Sequence, residues 1–141
     1  FLQGIAGNKI YNANNIDNTG MAAAYNQTTD VLKRWQGEGT SNSMPRAVFG
    51  DPNQNTRVSD RFVENGSYLR LKNVTLSYDL SDVFRKWSHL NDRNSRLSVY
   101  FSGENLATIT GYSGMDPECG GWDALKYPVS RVLSVGVKLT Y

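Results

Sequence analysis

The residues that could perform acid–base or metal chemistry are few and form no recognisable constellation. The carboxylates Glu64, Asp116 and Glu118 have no acid–base partner fixed by their spacing. His89 is the single histidine, which argues against a histidine-based metal site or proton relay. Cys119 is the single cysteine, so it builds no disulfide framework, and we interpret it as an inert surface thiol. The sequence therefore predicts neither an enzyme nor a bound cofactor.

A pattern like the opening of a calcium-binding loop, D-x-N-x-N, begins at Asp51. Such loops place Gly at the sixth position, for a sharp turn, and Glu at the twelfth, as a bidentate ligand. Here those positions hold Thr56 and Phe62. A turn-rich loop is the better interpretation of the pattern, and the sequence predicts no metal site.

Four aromatic residues fall in segments that the sequence predicts to be loops: Trp35, Tyr112, Trp122 and Tyr127. Aromatic faces of this kind stack on sugar rings or anchor a partner protein. Ordinary loop packing is the alternative for each of them, and for Tyr127 a position among the aromatic residues of a membrane interface. We retain all four as candidate contact residues.

The totals exclude some partners. The chain has 141 residues and a formal net charge of +2, with Lys and Arg scattered, so no nucleic-acid partner is predicted. No segment approaches the roughly 18 consecutive apolar residues of a membrane helix. A membrane strand needs only alternate apolar residues, so a membrane location stays open. The N-terminus, Phe1-Leu2-Gln3-Gly4, lacks an initiator Met and a signal segment, and we expect further chain upstream.

Alternation of apolar and polar residues predicts three firm strands and one weak strand. The firm strands cover residues 67–80, 96–106 and 130–141, and the weak one covers residues 1–12, with two glycines that indicate a bend. Residues 19–35 repeat at three- and four-residue steps, which predicts short helices, the second capped by Thr28 or Thr29. Residues 36–60 and 108–129 are predicted loops, and residues 81–94 a connection with a helical turn.

The last strand carries the most informative pattern. Its odd positions are apolar and end on an aromatic residue: Leu133, Val135, Val137, Leu139 and Tyr141. Its even positions are small or polar: Ser134, Gly136, Lys138 and Thr140. This pattern is typical of an outer-membrane strand, with the odd face toward lipid and the even face toward a polar lumen. An ordinary antiparallel sheet with one solvated face is the alternative, although its polar face would usually carry more charge.

The number of strands predicts that the chain pairs with strands it does not contain. The smallest membrane barrels have about eight strands, so four cannot close one. An open sheet would leave unpaired backbone groups in hydrocarbon, at a cost of several kcal/mol each. We therefore expect the chain to be one part of a longer polypeptide. The terminal residues Tyr141, Leu139 and Val137 are the candidate assembly signal of the barrel.

The segment NGSYLRLKNVTLSY, residues 65–78, is similar to a signature of the SusC/RagA family, the TonB-dependent outer-membrane transporters of Bacteroidetes. Other segments resemble the family in the same order along the chain: GNKIYN (7–12), TDVLKRW (29–35), NQNTRVSDR (53–61), SGENL (102–106), GYSGMDPE (111–118) and YPVSR (127–131). The resemblance covers essentially the whole chain.

The resemblance implies an all-β fold: the last three to four strands of a 22-stranded antiparallel transmembrane barrel, with long extracellular loops containing short helices. Residues 1–141 would be the C-terminal portion, without the plug domain. Residues 13–65 and 108–129 would lie outside the cell and residues 81–94 in the periplasm. Further implications are a SusD-like surface lipoprotein as a lid, energy supplied through TonB by way of the N-terminal part, and a glycan or peptide substrate.

Two classes of function follow from these expectations. One is part of an outer-membrane active transporter that imports oligosaccharides or peptides, with the candidate aromatic residues touching substrate or lid. The alternative is a passive porin, an adhesin barrel or a soluble binding module without energy coupling. An upstream plug sequence would distinguish them, because passive pores lack it.

Overall fold

The computed structural model describes residues 1–20, 23–88 and 95–140, except for the side chain of Ser88. This part of the chain forms strands β1 (Leu2–Ile5), β2 (Lys9–Asn12), β3 (Val63–Asn65), β4 (Tyr68–Asp79), β5 (Arg96–Thr110), β6 (Trp122–Asp123) and β7 (Val132–Thr140), with helices α1 (Asn14–Gly20) and α2 (Ser81–Ser88). Short 3₁₀ helices cover Thr29–Lys33 and Asp60–Phe62. The elements group into two compact units.

The first, which we call the strand unit, comprises Phe1–Ile5, Tyr68–Ile109 and the chain from Val129 onward. It is a four-stranded sheet in the order β1-β4-β5-β7. β1 is antiparallel to β4 and β7 is antiparallel to β5. The three predicted firm strands are therefore confirmed as β4, β5 and β7, and the structure shows that they are neighbours in one sheet.

The register of β5 and β7 places apolar residues opposite each other along one face. The apolar pairs are Leu97 with Leu139, Val99 with Val137, and Phe101 with Val135. Cross-strand pairs share a face, so the alternation predicted for β7 continues into β5. Val137 is 66% exposed and Leu139 50% exposed, so within the described chain this apolar face is uncovered.

The opposite face of the same two strands is polar or small. Its pairs are Ser98 with Lys138, Tyr100 with Gly136, and Ser102 with Ser134. The Tyr100 ring occupies the space that a Cβ on Gly136 would need, so this position admits only glycine without rearrangement. The Thr75 and Ser102 hydroxyl oxygens lie 3.3 Å apart, which places Thr75 of β4 on this polar face.

β4 contains a β-bulge opposite the start of β1. The backbone N–H groups of Lys72 and Asn73 both donate to the carbonyl oxygen of Phe1, at 3.0 and 3.2 Å. Two residues oppose one, which shifts the alternation of β4 by one position. Apolar residues before and after the bulge thereby join into one row: Leu69, Leu71, Val74, Leu76 and Tyr78.

Helix α2 connects β4 to β5 and confirms the predicted helical turn, extended to two turns. The Asp79 carboxylate accepts hydrogen bonds from the backbone N–H of Ser81, at 2.9 Å, and from its hydroxyl group. The Ser81 hydroxyl oxygen in turn accepts the backbone N–H of Leu97, at 3.1 Å. His89 lies outside the described residues. Neither α1 nor α2, nor any other described helix, is long and apolar enough to cross a membrane.

The second unit, which we call the loop unit, comprises Ala6–Ser67 and Thr110–Pro128. A small sheet in the order β3-β2-β6 lies at its centre, with β2 antiparallel to β3 and parallel to β6. Its core contains Ile10, which is 0% exposed, and Phe62, which is 1% exposed. The sequence did not predict this sheet, because strands of two to four residues are too short to show alternation.

Several predicted boundaries are corrected. The weak N-terminal strand divides at Gly7, whose φ of 77° turns the chain from β1 in one unit to β2 in the other. The first helix covers Asn14–Gly20, so only its last two residues fall within the predicted helical segment, residues 19–35. Thr28 does hold the N-cap position of the 3₁₀ helix, but its side chain makes no capping hydrogen bond. β5 extends to Thr110, beyond the predicted end. Tyr141 lies outside the described residues.

Candidate functional site

In the described part of the loop unit, Arg61 contributes to the walls of two clefts. The smaller has a volume of about 490 Å³ and is lined largely by amide and hydroxyl side chains, including those of Asn12, Asn15 and Asn18. The larger has a volume of about 770 Å³ and includes Trp35 in its wall. Either cleft is large enough to enclose a small ligand.

Glu64 holds the wall of the smaller cleft together. Its Oε1 accepts hydrogen bonds from the Asn12 and Asn15 amide groups, both at 2.9 Å, and from the Ser113 hydroxyl at 2.8 Å. Its Oε2 accepts the backbone N–H of Ser113 at 3.0 Å. One carboxylate thereby connects β2, α1, β3 and the segment after β5. Hydrogen bonds to an ionised carboxylate are stronger than neutral ones, so this junction fixes the local geometry.

Tyr112 and Asp123 form a second junction inside the loop unit. The Tyr112 hydroxyl donates to Asp123 Oδ2 at 2.7 Å. Burial raises the pKa of Tyr112 far above its ordinary value, and the hydrogen bond and charge of Asp123 raise it further. The phenol therefore remains a protonated donor at any physiological pH. Tyr112 is only 6% exposed, so little of its ring is open to a ligand.

Trp122 packs on the central sheet. Its ring stacks on Tyr11, with centroids 4.7 Å apart and planes 18° apart, and Phe62 meets the same Tyr11 edge-on. Trp122 remains 56% exposed, so part of its ring is open to a partner. Tyr127 is 81% exposed. Of the four candidate aromatic residues, Trp35 lines the larger cleft, whereas Tyr112, Trp122 and Tyr127 line neither cleft.

The segment that resembled a calcium loop is a tight turn held by Asp51. Its Oδ1 accepts the backbone N–H of Asn55, and its Oδ2 accepts both the N–H and the hydroxyl of Thr56, at 2.7 to 2.8 Å. Burial by itself would raise the pKa of Asp51, but these hydrogen bonds outweigh it and leave the pKa below its ordinary value. Both carboxylate oxygens are thus occupied by donors of the chain itself.

The chain has relatives among known sequences and solved structures, although no family model matches it. The TonB-dependent receptor P3 of Formosa agariphila is 30% identical over 154 aligned residues, which cover 100% of this chain and 14% of that protein. SusC of Bacteroides thetaiotaomicron, also a TonB-dependent receptor, is 33% identical over 72% of this chain and 10% of its own length. The solved RagAB peptide importer in its closed-closed state superposes with a TM-score of 0.79 at 27% identity, over 98% of this chain and 15% of that one.

The chain belongs to the TonB-dependent receptors of the SusC/RagA type. It spans about one seventh of the length of the relatives that it matches throughout. The family predicted from the resemblance of residues 65–78 is thereby confirmed. The strand unit and loop unit are accordingly parts of a receptor segment, and the clefts described above are features of that segment.

Two of the candidate carboxylates, Asp116 and Glu64, accept hydrogen bonds from the chain itself. Asp116 is 1% exposed and its Oδ1 accepts the backbone N–H of Glu118 at 2.9 Å. Glu64 is committed to the junction described above. Within the described ranges, no group of three or more His, Cys, Asp or Glu residues is placed to hold a metal ion. Cys119 is half-buried.

Sequence reasoning missed two features of the receptor segment: the Glu64 junction and the position of Arg61 between the clefts. Glu64 had appeared as an isolated carboxylate, because its partners Asn12, Asn15 and Ser113 lie 49 to 52 residues away. The dense run of asparagines from Asn12 was the available signal of such a junction, because the amide groups of asparagines near a turn need hydrogen-bond partners.

Replacing Asp51 by Asn is expected to loosen the turn at Asn55 and Thr56. A pKa below the ordinary value means that the ionised carboxylate stabilises the folded turn above about pH 4. That contribution is lost as the pH falls through the lowered pKa. At neutral pH the substitution should reduce the hydrogen-exchange protection of these two amides about tenfold, through loss of charge-assisted hydrogen bonds. Hydrogen-exchange mass spectrometry of the complete receptor measures this.

The control is Asp17→Asn, because Asp17 is exposed in the same unit. Protection at Asn55 and Thr56 should be unchanged there. In the parent receptor, protection corrected for intrinsic exchange should also fall below about pH 4. An Asp51→Asn receptor with parental protection would contradict the role assigned to this carboxylate.

Proposed function

We propose that the chain is the C-terminal portion of an outer-membrane active transporter and contributes the last three to four strands of a 22-stranded barrel. The observation that carries this proposal is the register of β5 and β7, which lines up Leu97, Val99 and Phe101 with Leu139, Val137 and Val135 on one uncovered face. Such a face is stable against lipid. Within the described residues, the edge strands β1 and β7 each have one neighbour in the sheet, and we expect other strands of the same polypeptide to pair with them.

The transporter would import oligosaccharides or peptides. SusC and the P3 protein are TonB-dependent receptors by name, and RagAB is a peptide importer. By analogy, energy would come from TonB through an N-terminal part of the polypeptide, and a SusD-like lipoprotein would cover the outer opening. These similarities favour an energised importer over a passive porin or adhesin barrel. We further propose that the receptor is not an enzyme, in keeping with the names of its relatives.

Sidedness follows from the proposed barrel. The odd positions of β7 would face lipid and its even positions the lumen, with the connection through α2 in the periplasm. The long segments of the loop unit would lie outside the cell, which places Trp35, Trp122 and Tyr127 where a substrate or lid could touch them. Tyr112 is the weakest of these candidates because it is buried.

The test is uptake by cells that express the complete polypeptide together with its neighbouring lipoprotein. We expect uptake of radiolabelled oligosaccharide or peptide to require both the receptor and a functional TonB. Uptake that continues without TonB would favour the passive pore.

A second test concerns the proposed assembly signal, Val137, Leu139 and Tyr141. Deleting Tyr141 should lower receptor abundance in the outer membrane, while uptake per folded receptor stays near normal. Normal abundance with lost uptake would contradict the assembly role.

A further inference from the structure

The larger cleft of the loop unit is basic. Three arginines contribute to its wall, Arg46, Arg57 and Arg61, and no Asp or Glu among the described residues lines it. The side chains of Arg46 and Arg57 are exposed and form no ion pair with the described part of the chain. Three positive charges around one cleft of about 770 Å³ repel each other and attract an anion. The composition of the wall therefore favours a negatively charged ligand.

Arg61 is fixed in position but incompletely paired. Its Nη2 contacts Met44 Sδ at 2.9 Å and Thr19 Oγ1 at 3.4 Å, and its guanidinium carbon lies 5.2 Å from the centre of the Phe62 ring. Its Nη1 is buried without a hydrogen-bond partner in the described chain. Burial lowers the pKa of Arg61, and the charge of Asp51 opposes that shift. Since the Asp51 oxygens already accept three hydrogen bonds, the positive charge of Arg61 is only partly compensated.

The rest of the wall suits a sugar better than a peptide. Trp35 contributes an aromatic ring that is 37% exposed, and Asn42, Asn53 and Asn55 contribute amide groups. An aromatic face with amide donors and acceptors matches the apolar face and hydroxyl rim of a pyranose. An extended peptide usually adds to the edge of a strand. No strand lies between Lys33 and Asp60, so the cleft offers a peptide no such edge.

We propose that this cleft binds an acidic oligosaccharide, one whose sugar rings carry carboxylate or sulfate groups. Arg46 and Arg57 would pair with these groups through the two parallel N–H donors of each guanidinium. Trp35 would stack on a neighbouring ring. The inference rests on the proposed import function and specifies its substrate class.

The experiment measures binding to the complete receptor, purified in detergent micelles, by isothermal titration calorimetry. The acidic probes are hexagalacturonate for carboxylates and a heparin-derived hexasaccharide for sulfates, with maltohexaose as neutral control and hexaglutamate as acidic peptide. The variants are Arg46→Gln with Arg57→Gln, and Trp35→Ala. Arg131→Gln is the matched control, since it removes an exposed positive charge that does not line the cleft.

We expect at least one acidic hexasaccharide to bind, and the double arginine variant to raise its Kd by about tenfold or more, in keeping with loss of two charge-assisted contacts. The Kd should also rise with salt. Trp35→Ala should weaken binding of the same probe, while Arg131→Gln should leave it unchanged. Arg46 and Arg57 are preferred to Arg61 as targets, because they are exposed and their replacement spares the packing on Phe62.

Three results would overturn the proposal: absence of binding by both acidic probes, equal binding in the double arginine variant, or equal affinity for maltohexaose. Arginine-dependent binding of hexaglutamate with none of the sugars would assign the cleft to acidic peptides instead. TonB-dependent uptake by a receptor that binds neither acidic sugar would retain the import function and remove only this substrate class. Arginine-dependent binding of an acidic sugar by a receptor that supports no uptake would retain the cleft and remove the import function.

Discussion

Val137→Arg is expected to lower the free energy of unfolding of the complete receptor in a bilayer by about 2–4 kcal/mol. Val137 lies near the middle of β7, opposite Val99, on the apolar face shared by β5 and β7. In the proposed barrel that face contacts lipid hydrocarbon. An arginine side chain there must either draw water and lipid headgroups into the hydrocarbon or extend toward the membrane interface. The same substitution on a sheet that faces water would cost little, because the side chain would simply be solvated.

The matched control is Ser134→Arg, on the opposite face of the same strand and paired with Ser102. In a polar lumen this substitution should be markedly milder. Both variants can be measured by urea titration of receptor folded into liposomes, with the mobility shift of the folded barrel in gels as readout. Equal destabilisation by the two substitutions would contradict the assignment of one face to lipid. The comparison tests sidedness directly, because charge, size and strand are the same.

The strands of the receptor segment were predictable because each carries its own pattern. β7 alternates without interruption, and its face could be assigned from the chain alone. β4 was harder, since its apolar residues change from odd to even positions between Leu71 and Val74. The structure explains the change by the bulge at Lys72 and Asn73, which depends on a hydrogen-bond partner, Phe1, that is remote in sequence. A local pattern shows the phase shift but does not reveal its cause.

The loop unit was predictable only as loop, because its order comes from contacts between distant segments. β2 pairs with β3 and β6, which lie some fifty and more than a hundred residues further along the chain. Its strands are too short to alternate visibly. The candidate aromatic residues show the same limit: Trp35 does line a cleft, whereas Tyr112 turns inward to donate to Asp123. Residue type indicated what each ring could do, but burial depended on partners that spacing does not show.

The second large effect is expected at Glu64. Glu64→Ala should destabilise the loop unit by roughly 3 kcal/mol, because it removes a charged acceptor from four hydrogen bonds, one of them from the buried amide group of Asn12. Asn12 is only 2% exposed, so water cannot readily replace the lost hydrogen bond from its amide group. The backbone N–H of Ser113 loses its acceptor as well. The stability of Glu64→Gln should fall between that of the parent and that of Glu64→Ala. The glutamine side chain keeps one acceptor oxygen, but its NH₂ group is a donor and faces the existing donors.

The readout is hydrogen exchange across Asn12 and Ser113 in the complete receptor, with limited proteolysis of intact cells as a second measure. Glu38→Ala is the control, since Glu38 is an exposed carboxylate in the same unit without a hydrogen bond in the described chain. We expect faster exchange at both segments in Glu64→Ala alone, while abundance in the outer membrane changes little, since the strand unit keeps its own pairing. Parental exchange in Glu64→Ala would show that the central sheet, and not this carboxylate, holds the walls of the smaller cleft in place.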